Sequence, residues 1–176
     1  MGIATGTATA DAEAVAKHTT ACNEAYANHS NSCSHAAWYV LTKLVDKDFR
    51  WLDANHLVDF LIASPDWKAV SVDEGSALAL KGVVVVGGLK KVGDRGHVII
   101  MYPAQKKASG GYSYTYKDKQ TGKTLAAIMR SHGIFPPALS TSNSSWPGAK
   151  SKDDKTVWDP WANDDIFPTD KFWTRK

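Results

Sequence analysis

Two cysteines in 176 residues, Cys22 and Cys33, are too few to frame a disulfide-built fold, and their spacing is not that of a metal site. A single bridge between them would consume the more interesting thiol of the pair. No run of 18 or more apolar residues occurs, which excludes a hydrophobic spanning helix and membrane insertion of that kind. Dense basic blocks are missing too. The formal net charge is +3, and the loosest cationic grouping (Lys106, Lys107, Lys117, Lys119, Lys123) is spread through a Gly- and Tyr-rich stretch. That distribution argues against a nucleic-acid partner and suits a solvated surface or an anionic polymer. The first residues carry neither a basic leader nor an apolar core. The expectation is a protein made in the cytoplasm that works there or leaves without a cleaved signal.

What is present is the balance of a globular protein, 43% hydrophobic and 22% charged, in a length that fits one domain over residues 1–176. Residues 1–10, rich in Ala, Thr and Gly, predict a loose tail, and residues 11–26 predict a helix. The polar run Asn28-His29-Ser30-Asn31-Ser32 interrupts it, with Ser32 suited to cap the next helix. From Cys33 onward, Ala36, Ala37, Val40, Leu41, Leu44 and Val45 repeat at the helical period, so Cys33 falls in the first turn of an amphipathic helix. Asp53 opens another helix with Leu57, Phe60 and Leu61 on one face, ended by Ser64-Pro65. Residues 66–79 read as connecting structure with a short helical turn.

The β-branched run Val83-Val84-Val85-Val86 predicts a buried strand. Gly87-Gly88 and Gly93-Asp94-Arg95-Gly96 punctuate the chain after it, and residues 97–102 predict a second strand, stopped by Pro103. Together they predict an antiparallel hairpin. Tyr112 to Tyr116 alternate as a strand, residues 124–130 read as strand or short helix, and Pro136-Pro137 break the chain. Four of the seven tryptophans lie at or beyond Trp146. Helices first and a mainly antiparallel sheet afterwards define an α+β domain.

One pair of residues carries chemistry. A thiol is nucleophilic as thiolate, and both a helix N-terminus and a nearby imidazole lower its pKa. Cys33 has the first by position, and the same helix start offers backbone N–H groups for an oxyanion. His97, opening a strand after a glycine turn, can supply the second. His18, His29 and His56 have no partner at metal spacing and read as surface or capping residues, with His29 able to border the cleft. Asp94 and Arg95 read as a solvated turn, and the late tryptophans as cover for a sheet, with stacking on a ligand as the alternative. No metal or cofactor is implied. Serine nucleophiles are excluded, because no Gly-x-Ser-x-Gly elbow surrounds Ser32, Ser34 or Ser140.

The stretch Ala21-Cys22-Asn23-Glu24-Ala25-Tyr26, then Ser32-Cys33-Ser34, Val83-Val84-Val85-Val86-Gly87-Gly88-Leu89-Lys90 and Gly96-His97-Val98-Ile99-Ile100 resembles the type VI secretion amidase effectors. In that family an Asn-Cys-Ser-Gly motif leads the nucleophile helix, and a strand ending Ala-Gly-Leu-Lys precedes a Tyr-Gly-His-Val strand. The resemblance covers roughly residues 20–102. Two departures are plain: Ser32 stands where the family often has Asp or Asn, and His35 where it often has Gly. The resemblance implies a papain-like fold of the NlpC type with Cys33 as nucleophile and His97 as base. It further implies a polar third residue, placed at Ser140 with His132, Ser142 and Asn143 as alternatives, and Ser34 and His35 near the substrate.

By the same resemblance, the substrate is the stem peptide of bacterial peptidoglycan. The bond cut is the D-alanine–diaminopimelate cross-link, or else the D-glutamate–diaminopimelate bond within a stem. The implied partners are the type VI secretion machinery and an immunity protein that occludes the cleft, with action in the target cell's periplasm. An intracellular cysteine peptidase or deamidase on the same scaffold, and a wall-binding module without catalysis, are the alternatives.

Overall fold

The computed structural model describes residues 4–167 and 171–176. Helix α1 (Ala4–Asn28) is followed by α2 (Cys33–Leu44) and α3 (Ala54–Ala63). Residues 1–3 of the expected tail lie outside the described residues, and from Ala4 the chain is already helical. The starts of α2 and α3 reflect local capping chemistry. Ser32 accepts from the His35 amide and Asp53 from the His56 amide, each satisfying a donor that the helix itself leaves unpaired. On α3 the buried residues are Ala54, Leu57, Val58 and Leu61. Phe60, expected on that face, is 38% exposed and packs edge-on to Phe49.

Residues 66–79 are more ordered than connecting structure. They form strand β1 (Trp67–Val70) and helix α4 (Val72–Ala79), the latter capped by Ser71 accepting from the Glu74 amide. The next strands are β2 (Val85–Leu89) and β3 (His97–Met101), paired antiparallel with Leu89 opposite His97 and Val86 opposite Ile100. The hairpin is as expected, but β2 starts later and includes Gly87 and Gly88. These glycines mark close packing, not a turn. A Cβ on Gly87 would sit 2.6 Å from the Phe172 ring, and one on Gly88 would sit 2.8 Å from the Val58 side chain.

Short strands come next: β4 (Lys107–Ala108), β5 (Ser113–Lys117), β6 (Thr124–Ile128), β7 (Ile134–Phe135), β8 (Ala138–Leu139) and finally β9 (Phe172–Arg175). The main sheet has the order β1-β9-β2-β3-β8, and every neighbouring pair is antiparallel. β4 pairs with β7, and β5 with β6, in two small ribbons. The α+β class is therefore observed.

Both faces of the main sheet are covered. Val86, Val98, Ile100, Leu139 and Trp173 face a core shared with α1, α2 and α3. Their neighbours Val85, Ile99, Met101, Ala138 and Phe172 face a second core with Ala79 of α4, Val157, Trp158 and Phe167. A sheet buried on both sides needs apolar residues at every position, which is why β3 reads as a continuous hydrophobic run. Among the described residues, no helix is long and apolar enough to cross a membrane.

Candidate active site

Cys33 is the first residue of α2 and half-buried, and α2 packs its Ala37 and Val40 into the core that holds Val98 of β3. That packing sets the helix start beside the strand start. Cys33 and His97 line one groove of about 1010 Å³. Burial pushes the Cys33 thiol pKa up, and the backbone N–H groups of Val98, Ser34 and Cys33 itself pull it down without overcoming that effect. The expected depression of its pKa is therefore not seen in the resting state. Desolvation outweighs the helix-start donors.

His97 is shifted by the same cause in the opposite direction. Burial lowers its pKa to about 4, so at neutral pH the imidazole is uncharged. Its Nε2 lies 2.8 Å from Ser140 Oγ, and that hydroxyl donates to the Ala149 carbonyl at 2.8 Å. Because the hydroxyl proton is spent on the carbonyl, Ser140 Oγ accepts from His97 Nε2–H. The relay assigns the tautomer and leaves Nδ1 unprotonated, the form a general base needs. Ser140 is itself buried, held by paired backbone bonds to Ser151 in both directions. Trp161 meets the His97 ring edge-on at 5.8 Å. It rides on a loop where Ala162 takes a positive φ of 48°, a conformation costly for a residue with a Cβ.

Ser34 is buried and lines the groove, its hydroxyl 3.4 Å from that of Ser32. His35 stands behind the groove rather than on its surface. Its Nδ1 lies 2.8 Å from Ser32 Oγ, and its ring stacks on Trp51 at 4.9 Å and His29 at 5.9 Å. It props Trp51, which does line the groove, and so the residue expected near substrate is a support.

Of the alternatives for the third position, His132 is tied to Asp164 and stacked on Trp158, away from the groove. Ser142 and Asn143 line the groove, and Ser142 Oγ accepts from the Ser144 amide. Of these candidates, only Ser140 is hydrogen-bonded to the His97 side chain among the described residues. Asp94 and Arg95 are exposed as expected of a turn, yet both face the groove. His56 pairs with Asp53 at the α3 cap.

His18 differs from its expected surface role. It is fully buried on α1, neither ring nitrogen has a hydrogen-bond partner among the described residues, and burial lowers its pKa to about 4. Cys22 is fully buried and its pKa is raised by desolvation, so it is an inert thiol. Both cysteines are free. No group of three His, Cys, Asp or Glu among the described residues is arranged to hold a metal.

Sequence reading missed Trp51 as a groove residue and left Trp146 and Trp161 between sheet cover and ligand stacking; all three line the groove. Trp51 is 47% exposed, and an indole's exposure is not displayed by a sequence. No protein-family model matches the chain, and no curated protein matches it.

Proposed function

We propose that this protein is a papain-like, NlpC-type cysteine amidase that hydrolyses peptidoglycan stem peptides and acts as a type VI secreted antibacterial effector. The observation that carries the reading is one groove holding a thiol at a capped helix start and a neutral imidazole whose tautomer is set by the Ser140–Ala149 relay.

The chemistry starts from the neutral pair. His97 Nδ1 takes the Cys33 proton as sulfur attacks the amide carbon, so the thiolate forms only when it is used. Backbone N–H groups at the start of α2 stabilise the oxyanion. The resulting imidazolium donates its proton to the leaving amine, giving a thioester and free amine. Water, deprotonated by His97, then attacks the thioester and releases the carboxylate and the thiol. The preferred bond is the D-alanine–diaminopimelate cross-link, with the D-glutamate–diaminopimelate bond as the other choice. An immunity protein protects the producing cell by filling the groove.

The test is compartment and product together. Expressed in the cytosol of a Gram-negative host the protein should be harmless, and fused to an export signal it should lyse that host. Mass spectrometry of fragments released from purified sacculi names the bond. Equal toxicity from both compartments, or intact sacculi after digestion, defeats the wall-amidase reading.

A further inference from the structure

The groove around Cys33 and His97 has two walls of different chemistry. One wall is built by the start of α3 and the β2–β3 turn. Asn55 stitches them together, donating to the carbonyls of Lys91 and Asp94 and accepting from the Lys91 amide. Among the described residues, this wall holds every Asp, Lys and Arg on the groove surface: Asp53, Lys91, Asp94 and Arg95. Lys91 and Asp94 pair at 2.6 Å, and Asp53 pairs with His56 at 2.6 Å.

The facing wall is formed by residues 142–146 and 160–166, joined by Trp146 Nε1 donating to the Asp159 carbonyl. Among the described residues it presents no charged side chain to the groove. Trp146, Trp161 and Ile166 offer apolar faces, while Ser142, Asn143 and Ser144 offer neutral hydrogen-bonding groups. Asn143 is exposed, and its side-chain amide makes no hydrogen bond with the other described residues.

A stem peptide carries carboxylates and an amine, and such groups match the charged wall. Against the neutral wall they would be desolvated without a counter-charge. That wall instead matches a neutral ring with an apolar C–H face for the indoles and with hydroxyl or acetamide groups for the serines and Asn143. Resting on the amidase reading, we infer that the neutral wall binds the N-acetylated glycan adjoining the stem, so that the preferred substrate is a saccharide-bearing stem rather than free peptide.

The experiment compares cross-linked peptide dimers with and without their N-acetylglucosaminyl-N-acetylmuramyl disaccharides. One ring-stacking contact makes kcat/KM about two- to tenfold higher for the disaccharide form. The double variant Asn143→Ala/Trp146→Phe should bring that ratio toward one. Equal turnover of the two substrates by the unaltered protein, or a ratio unchanged in the double variant, overturns the inference. A second arm titrates N-acetylglucosamine tetramer into the Cys33→Ala protein and monitors tryptophan fluorescence. A saturable shift that the double variant loses supports the glycan wall even if neither dimer is cut, in which case the amidase reading alone fails. No shift in that titration overturns the glycan wall itself.

Discussion

Replacing Ser140 with Ala removes the middle of a three-member relay, leaving His97 Nε2–H without its acceptor and the Ala149 carbonyl without its donor. Each buried group so orphaned costs about 1–3 kcal/mol. One share falls on the fold, where a destabilisation of that size lowers Tm by about 2–4 °C per kcal/mol in a chain of this length. The other falls on catalysis, because the imidazole is free to turn or to adopt the other tautomer, with Nδ1 protonated and unable to accept. A barrier raised by about 1–3 kcal/mol corresponds to a loss of roughly 5- to 150-fold in kcat/KM. The assay is turnover of purified cross-linked muropeptide, read beside the pH profile of Cys33 alkylation. A serine that only holds structure would lower Tm and leave that profile in place. Full kcat/KM and an unshifted alkylation profile in a folded Ser140→Ala protein would refute the relay.

Cys33→Ala should abolish release of wall fragments with little change in thermal unfolding, whereas Cys22→Ala should keep activity; the reverse pattern in the same digestion assay would move the nucleophile. His18→Leu should stabilise the protein by about 1–3 kcal/mol at pH 7, since it removes two buried polar atoms that lack partners among the described residues. The sign of the pH effect comes from a folded pKa of about 4 against an ordinary 6.5. Between those values the unfolded chain binds a proton that the folded one refuses, so native stability falls as pH drops from about 6.5 to about 4, and His18→Leu should flatten that decline in urea titrations. An unchanged slope would show that His18 gains a partner in solution. At Ala162, Gly should be neutral or stabilising by up to about 1 kcal/mol, and Val should destabilise by more than that, because φ is positive there; equal Tm values for both variants would refute the strained geometry.

The candidate site was legible where its chemistry is local. Ser32 before Cys33 and the apolar stripe after it place the thiol at a helix start, and a glycine turn before an apolar run places His97 at a strand start. Ser140 was reachable only through the family resemblance, since nothing around it announces a bond to a residue 43 positions away. Two of the misreadings come from distance along the chain. Gly87 and Gly88 look like a turn until Phe172 and Val58 press against them. Strand β1 has four residues and one partner, β9, so no periodicity could reveal it. Helix α4 did carry a local signal, Ser71 with Glu74 three residues on, the spacing of a capping box. The resting pKa of Cys33 was misjudged because helix-start donors are visible in sequence and burial is not.

The position of β9 bears on how the molecule assembles and comes apart. It is the last strand in the chain, yet it lies between β1 and β2, well inside the sheet. The β2–β3 hairpin can form early from neighbouring residues, but β1 has no sheet partner until β9 arrives from about a hundred residues away. Phe172 and Trp173 point to opposite faces, one into each core. Peeling that single strand therefore opens both hydrophobic interiors together and splits the sheet in two. Unfolding should be all-or-none, with no stable half-molecule in which the β2–β3 hairpin survives alone.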